Sequence, residues 1–267
     1  MLKVAIGGLG AIGRKVAEAL DRGLPGLRLA AVSARDSAAA AARLSGFRQP
    51  VPVVGLGELA AHADIVVESV PAAAFAAIAD PAVAAGRLLI VLSAGQLLER
   101  MDLVERARET GARILVPTGA LLGLDAVRAA ALDGIASVRM VTRKPPAGLK
   151  GAPHIERNAI RLDGLQAPLC VFQGNALEAA RGFPANVNVA AALSLAGIGP
   201  ERTEVEVWAD PTVSRNTHRI VVDAAAARLE MQIENVPSAE NPRTGRITAY
   251  SVLAALSGLT ATLKVGT

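Results

Sequence analysis

Three glycines follow the first apolar run of the chain in the pattern G-L-G-A-I-G, at Gly8, Gly10 and Gly13. Glycines at this spacing allow a tight turn, bring the backbone close to a bound phosphate and let a helix pack closely on the preceding strand. A helix opening at Ala11 presents free N–H groups and a partial positive charge to such phosphates. The motif therefore predicts a dinucleotide-binding turn, with Gly8, Gly10, Ala11, Ile12 and Gly13 as cofactor-binding candidates.

The adenosine end of that cofactor is predicted from the next apolar run, which ends in Ser33-Ala34-Arg35-Asp36. An acidic residue at the end of this strand holds the ribose hydroxyl of NAD, and Asp36 lies about three residues late for that role. Ser33 and Arg35 carry donors that suit the 2′-phosphate of NADP, although Arg35 also fits a solvated loop charge. Ser33, Arg35 and Asp36 are therefore cofactor-binding candidates, and the cofactor is NAD or NADP.

His218 is the candidate for acid–base chemistry among three histidines, the others being His62 and His154. It belongs to the polar segment A-D-P-T-V-S-R-N-T-H-R, which we interpret as a loop before a strand. A neutral imidazole near pH 7 can accept or release the proton of an amine or of an attacking water. The alternative is a surface histidine at the start of a strand.

The elements that must position these residues alternate in the first half of the chain. From Lys3 to about Val116, short apolar runs alternate with alanine-rich amphipathic stretches, which indicates βαβ units and a parallel, doubly wound sheet with right-handed crossovers. The predicted strands are Lys3–Ile6, Leu27–Val32, Ile65–Glu68, Leu88–Leu92 and Ile114–Val116. The predicted helices are Ala11–Arg22, Ser37–Ser45, Pro71–Ala85 and Met101–Thr110.

The pattern changes after Val116, because strands come to dominate. The predicted strands are Ile135–Thr142, Ala167–Phe172, Glu204–Trp208, Thr217–Val222 and Arg228–Ile233, with helices at Leu121–Leu132, Asn186–Ala196 and Thr248–Leu256. This favours an α+β domain with a mostly antiparallel sheet and helices on one face. We predict a Rossmann domain over residues 1–118, a substrate-binding and dimerisation domain over residues 119–246, and a helix within 247–267 that packs back on the first domain.

Composition excludes several other classes. The 267 residues suit two modest domains, and a core with 2% aromatic residues must be built from aliphatic side chains. The net charge of +4 comes from scattered arginines, which does not favour nucleic-acid binding. Cys170 is the single cysteine, so an intrachain disulfide and a cysteine-based zinc site are excluded. No signal peptide, membrane span, metal-ligand cluster or G-x-S-x-G elbow is visible, and we expect a cytoplasmic protein without a metal.

Four segments of the second half carry a resemblance: V-P-T-G-A-L-L-G-L-D-A from Val116, T-R-K-P from Thr142, F-P-A-N-V-N-V-A-A-A-L-S-L-A-G from Phe183 and the histidine segment from Ala209. They resemble, in order, the P-x-G-A-x-x-G-x-D-A stretch, the R-K-P loop, the N-V-A-A-x-L-S-L-A-G helix and the D-P-x-x-x-x-N-x-H segment of the L-aspartate dehydrogenase family. The stretch N-P-R-T-G-R-I-T-A-Y-S-V near the C-terminus extends the match, so the resemblance covers nearly the whole chain.

The resemblance implies NAD(P)-dependent oxidative deamination of L-aspartate to iminosuccinate, and then to oxaloacetate and ammonia. The reaction is reversible, and iminosuccinate is a possible supply for NAD biosynthesis. By the same resemblance, His218 is similar to the family's catalytic histidine, while Ala120 and Asn188 match positions that contact the cofactor. An asparagine at a helix start is also a common cap, and Asn186 is a competing cap.

A substrate with two carboxylates needs cationic and hydroxyl donors. The cationic side chains in or near the segments above are Arg143, Lys144, Arg215, Arg219, Arg243 and Arg246. We expect at most two of them to bind substrate, with Lys144 and Arg143 first because R-K-P belongs to the resemblance. Thr118 and Thr244 are further hydroxyl candidates.

Two other functions fit the same pattern. One is another oxidoreductase of this architecture, similar to homoserine dehydrogenase or dihydrodipicolinate reductase, and the other is a non-catalytic dinucleotide-sensing protein. In either case, an open antiparallel sheet in the second domain is expected to expose one apolar face. Burial of that face about a two-fold axis predicts a homodimer.

Overall fold

The computed structural model describes residues 1–184, 188–238, 240 and 244–266. The chain divides into two compact units, one formed by Met1–Pro117 with Thr248–Val265 and the other by Thr118–Ile247. Among the described residues, no helix is both long and apolar enough to cross a membrane.

The first unit is built on a parallel sheet with the strand order β2-β1-β3-β4-β5. Its strands are β1 (Leu2–Gly7), β2 (Leu27–Ser33), β3 (Ile65–Glu68), β4 (Leu88–Val91) and β5 (Arg113–Leu115). Its first helices are α1 (Ala11–Gly23), α2 (Ser37–Leu44), α3 (Leu59–His62), α4 (Phe75–Ala84), α5 (Ala94–Leu98) and α6 (Asp102–Thr110). The predicted Rossmann-type sheet is confirmed, and its strand order reverses direction at β1, where such sheets bind ligands.

The second unit contains a mixed sheet with the order β10-β9-β6-β8-β7. Its strands are β6 (Ile135–Lys144), β7 (Leu169–Asn175), β8 (Thr203–Ala209), β9 (Asn216–Ala224) and β10 (Arg228–Asn235). Its helices are α7 (Leu124–Asp133), α8 (Pro153–Arg157), α9 (Ala176–Gly182) and α10 (Asn188–Ala196). Neighbouring strands are antiparallel except for β6 and β8, which run parallel. The prediction of a mostly antiparallel sheet is therefore confirmed.

The cores follow the sequence pattern. In the first unit, the strands are mostly apolar and bury side chains such as Val4, Ile6 and Val67, as expected for a parallel sheet covered on both faces. The last helix, α11 (Ile247–Gly258), adds Val252 and Leu256 to this core.

Short elements escape prediction because periodicity needs length. Helices α3, α5, α8 and α9 span four to seven residues each and were not predicted. Helix α4 begins at Phe75 rather than Pro71, because residues Ala72–Ala74 form a single 3₁₀ turn. Strand β6 runs two residues past the predicted end at Thr142. Arg143 and Lys144 therefore lie in a strand and not in a loop.

The two faces of the second sheet differ sharply. Side chains alternate along β6 and β9, so that Val138, Met140, Ile220 and Val222 share a buried face against which α7 and α10 pack. The opposite face carries ion pairs, including Arg139 with Glu206 and Arg219 with Glu230. We refer to these as the buried face and the charged face. The exposed apolar face that we expected is not found on these two strands, because the half-buried Val141 and Val221 stand among charged and polar side chains: Arg139, Arg143, Thr217, Arg219 and Asp223.

Candidate active site

The glycine turn lies between β1 and α1 and has no space for side chains at two positions. Gly8 adopts a φ of +90° and donates its backbone N–H to the Ser33 carbonyl at 2.8 Å. A Cβ at Gly8 would lie 2.5 Å from the Ser69 carbonyl oxygen, and one at Gly13 would overlap the Gly8 carbonyl oxygen. Both glycines are therefore required by the close packing of turn, helix and neighbouring strand.

The same turn leaves room where a phosphate is expected. A Cβ added at Gly10 would meet no atom within 4 Å, and Gly10 is the N-cap of α1 without a side-chain cap. The first turn of α1 begins with the half-buried Ala11 and Ile12 and contains no acidic residue. Uncapped N–H groups beside open space attract anions. The residues present therefore fit the diphosphate of a dinucleotide.

The candidates for the adenosine end have different environments. Ser33 is 4% exposed at the end of β2, and Arg35 is exposed. Asp36 is the N-cap of α2 and accepts the Ala39 N–H at 2.9 Å. The Asp36 carboxylate is therefore used to cap a helix, which sequence position alone did not indicate.

Glu68 and Ser69 support this edge of the sheet and were not among the predicted site residues. Glu68 is fully buried at the end of β3, and it accepts N–H groups from Val70, Leu92 and Ser93 at 2.9–3.1 Å. Burial raises the pKa of the Glu68 carboxyl, against the lowering effect of these hydrogen bonds. Ser69 donates its hydroxyl toward the Gly8 carbonyl at 2.9 Å. The two residues tie the loops after β3 and β4 to the glycine turn.

In the second unit, His218 lies on the buried face of the sheet. It is the third residue of β9 and only 2% exposed, so it lies in a strand, in agreement with the predicted strand Thr217–Val222, and the expectation of a polar loop is wrong. Its Nδ1 atom is 3.1 Å from the hydroxyl of Thr142, its cross-strand neighbour on β6. Burial, together with the positive charge of Lys144, lowers the pKa of His218 from its ordinary 6.5 to about 3. The imidazole is therefore neutral at physiological pH.

Lys144 shares the buried face with His218 because it is two residues beyond Thr142 on β6. It is 4% exposed, and burial lowers the pKa of its amine from 10.5 to about 8. Arg143 projects to the charged face, where it pairs with Asp210 at 3.0 Å and lies over the Trp208 ring at 4.8 Å. The alternation of a strand therefore separates two neighbouring candidates that the sequence presents together.

Asn235 was not singled out by the sequence analysis. It ends β10, is 3% exposed, and donates its Nδ2 hydrogen to the Ala120 carbonyl at 2.9 Å. Its Oδ1 atom is buried and, within the described part of the chain, has no hydrogen-bond partner. A Cβ at Gly245 would lie 2.9 Å from that oxygen. Asn235 therefore joins the segment of Ala120 to the segment that contains Thr244.

The remaining candidates are dispersed. Thr118 and Thr244 are half-buried, and their carbonyls accept the N–H groups of Leu121 at 3.1 Å and Ser238 at 2.8 Å. Asn188 begins α10, whereas Asn186 and Arg243 lie outside the described residues. Three further cationic candidates are exposed: Arg215, Arg219 and Arg246. Across residues 1–184, 188–238, 240 and 244–266, no group of three His, Cys, Asp or Glu side chains has metal-binding geometry.

The parallel sheet, the glycine turn and a buried imidazole and amine on one face of the second sheet define the class of the protein as a Rossmann-type oxidoreductase. Residues 125–259 match the family model described as aspartate dehydrogenase, C-terminal. Residues 8–117 match the model described as homoserine dehydrogenase, NAD binding domain. The chain belongs to the aspartate dehydrogenase family, and the predicted family membership is confirmed.

Individual relatives match over the full chain. An L-aspartate dehydrogenase of Bradyrhizobium diazoefficiens is 58% identical over 266 residues, covering 100% of this chain and 94% of that protein. L-aspartate dehydrogenase 3 of Bordetella bronchiseptica is 56% identical over 267 residues, with coverages of 100% and 98%. The crystal structure of aspartate dehydrogenase from Thermotoga maritima is 26% identical, covers 100% of both chains and has a TM-score of 0.76.

Proposed function

We propose that this protein catalyses the reversible, NAD(P)-dependent oxidative deamination of L-aspartate to iminosuccinate, which water converts to oxaloacetate and ammonia. One observation carries the proposal beyond family membership: a neutral imidazole and a buried amine, His218 and Lys144, share one face of the second sheet. An amino acid offers an amine proton to the first and a carboxylate to the second.

The cofactor is assigned to the glycine turn of the first unit. Gly8, Gly10, Ala11, Ile12 and Gly13 surround the diphosphate in this proposal, with Ser33, Arg35 and Asp36 at the adenosine end and Ala120 and Asn188 at the nicotinamide. When bound, NAD or NADP accepts the hydride from Cα of aspartate. The cofactor domain spans residues 1–118 with 247–267, and the substrate domain spans 119–246.

His218 accepts the proton that the substrate amine or the attacking water releases. In the tautomer that this role requires, Nδ1–H donates to the Thr142 hydroxyl, whose oxygen lies 3.1 Å away. This leaves the Nε2 lone pair free to accept a proton from the amine or from the attacking water. Burial keeps the imidazole in the neutral form, and the Thr142 bond fixes its orientation.

Lys144 holds one substrate carboxylate and also controls the basicity of His218. Burial is the main reason that the pKa of His218 is low, and the charge of Lys144 lowers it further. A carboxylate bound at Lys144 offsets that charge, which raises the pKa of His218. The base therefore becomes stronger when substrate is present, where a proton must be taken.

Other assignments complete the proposal. Thr118 and Thr244 supply hydroxyl donors to substrate, and Arg143 would do so only by leaving Asp210. The protein acts in the cytoplasm as a homodimer, and its iminosuccinate supplies NAD biosynthesis. For the dimer, the charged face favours an interface with complementary ion pairs in place of the apolar contact first expected.

The test is the rise in absorbance at 340 nm when purified protein is mixed with L-aspartate and either NAD or NADP. We expect reduction of cofactor with L-aspartate, and its oxidation with oxaloacetate, ammonium and NADH or NADPH. L-homoserine, tested in parallel, distinguishes the alternative oxidoreductase. Cofactor binding without turnover of any of these compounds would overturn the enzymatic proposal and favour a dinucleotide-sensing protein.

A further inference from the structure

Asn235 has a buried hydrogen-bond acceptor, its Oδ1 atom, to which no other described residue donates a hydrogen bond. The side chain is 3% exposed, and its Oδ1 atom is without a partner among the described residues. Buried polar atoms in native proteins are nearly always paired, because an unpaired one loses its hydration without compensation. Such an atom in a native structure calls for a donor from outside the described residues.

The amide of Asn235 cannot turn to satisfy this oxygen internally. Its Nδ2 atom donates to the Ala120 carbonyl at 2.9 Å, which fixes the orientation of the amide plane. A flipped amide would place an oxygen against that carbonyl and lose the bond. A Cβ added at Gly245 would lie 2.9 Å from Oδ1, so the missing side chain at Gly245 leaves that approach to the oxygen open.

Strand register places Asn235 beside the proposed acid–base group. On β10, Ile233 pairs with His218, and Asn235 pairs with Asn216. Because side chains alternate, Asn235 and His218 project from the same face as diagonal neighbours, about 7–8 Å apart in such sheets. Lys144 projects from that face as well, two residues beyond Thr142, which pairs with His218.

We propose that Asn235 binds the amino group of the substrate through Oδ1. The three side chains then match an amino acid group by group: the Lys144 ammonium for a carboxylate, His218 for the amine proton, and the Asn235 oxygen for a remaining N–H. The inference rests on the proposed function and assigns a residue that neither the motifs nor the resemblance singled out. In the reverse direction the same oxygen holds ammonia and the N–H of the imine.

Two substitutions of Asn235 distinguish the role of its acceptor Oδ1 from the role of its donor Nδ2. Asn235→Leu removes both the acceptor and the bond to Ala120, whereas Asn235→Asp loses the bond to Ala120, keeps an acceptor oxygen and introduces an ionisable carboxyl group. Asn235→Ala replaces Asn235→Leu if thermal unfolding shows that the leucine variant does not fold. Asn158→Leu is the matched control, because exposed Asn158 makes the same kind of bond, from Nδ2 to the His154 carbonyl at 2.8 Å.

The measurement is KM for ammonium in reductive amination at saturating oxaloacetate and NADH, together with the dissociation constant of NADH. We expect Asn235→Leu to raise KM for ammonium by about tenfold or more, the usual value of a hydrogen bond to a polar or charged ligand group. Asn235→Asp should recover much of this loss, although both variants lose the Ala120 bond and change NADH binding equally. Asn158→Leu should behave like the parent protein.

Two results overturn the inference: equal rises in KM for ammonium in Asn235→Leu and Asn235→Asp, or no rise in either. The first would assign the effect to the Ala120 bond, and the second would make the buried oxygen irrelevant to substrate. Failure of the proposed function is a separate result, because it appears as absence of turnover in the parent protein.

Discussion

The two units build their candidate sites from different materials. In the first unit the candidate site is formed by backbone groups, at Gly8, Gly10, Gly13 and the uncapped start of α1. In the second it consists of side chains on one face of a sheet, with His218 and Lys144 brought together by strand pairing. A backbone site depends on which residues lack a side chain, and a side-chain site depends on register and on which face is buried.

Removal of the imidazole should have the largest effect on the side-chain site. His218→Ala is expected to lower kcat for L-aspartate by about 10²–10⁴-fold, the range of general acid–base catalysis. Cofactor binding should persist, because the glycine turn is unaffected. Steady-state kinetics and NADH titration provide the measurement, with exposed His62→Ala as the control. Unchanged kcat in His218→Ala would refute the role of this histidine.

The next prediction compares two adjacent residues of β6, Lys144 and Arg143. Lys144→Met should raise KM for L-aspartate by about 10–100-fold, because a buried charge-assisted bond to a carboxylate is lost. Arg143→Met should change KM by less than about threefold, since Arg143 pairs with Asp210 on the charged face. The two KM values are measured side by side. A larger effect at Arg143 would show that the wrong face had been assigned to substrate.

A third comparison concerns the backbone site. Gly13→Ala should destabilise the protein by about 2 kcal/mol or more, because its Cβ overlaps the Gly8 carbonyl oxygen. Gly10→Ala should leave the unfolding temperature nearly unchanged yet weaken NADH binding, because its Cβ enters the open space assigned to phosphate. Thermal unfolding and NADH titration test both variants. If Gly10→Ala binds NADH normally, the diphosphate does not approach this residue.

A fourth comparison concerns the pH dependence of stability. The pKa of His218 is about 3 in the folded protein and 6.5 for an ordinary histidine, so the unfolded chain binds a proton first as pH falls. The stability contributed by the neutral imidazole is therefore complete above pH 6.5 and is lost between pH 6.5 and about 3. The loss is at most about 1.4 kcal/mol per pH unit.

Denaturant unfolding of the parent protein and of His218→Asn across this range isolates that contribution. The difference between the two free energies of unfolding should shrink as pH falls, because only the parent carries the group that titrates. A difference that stays constant from pH 7 to pH 4 would mean that His218 is not held neutral by burial.

Much of the fold was predictable because parallel strands and long helices leave a periodic pattern. The glycine turn was predictable for a related reason: a missing side chain is visible in the sequence, and its geometric consequence is local. Lys144 and Arg143 could not be told apart, since the extra two residues of β6 decide which face each one occupies. Asn235 belongs to no motif and Thr142 only precedes R-K-P, and the pairing of their strands with β9 places them near His218.

Asp36 is a residue whose hydrogen-bond partner could not be predicted from the sequence. Its type and approximate position suited a ribose contact, and in the structure one of its carboxylate oxygens caps α2. Both roles satisfy the same physical need, an acceptor beside free N–H or O–H donors, and the sequence does not state which donor is closer.

Trp208, the single tryptophan of the chain, gives the charged face a built-in fluorescent reporter. Its indole N–H donates to Glu206 at 2.9 Å, and its ring lies under the Arg143 guanidinium. Ultraviolet excitation at the red edge of the protein spectrum therefore reports on one small area and on nothing else in the subunit. Emission that shifts to the blue as protein concentration rises would locate subunit association on this face without any label.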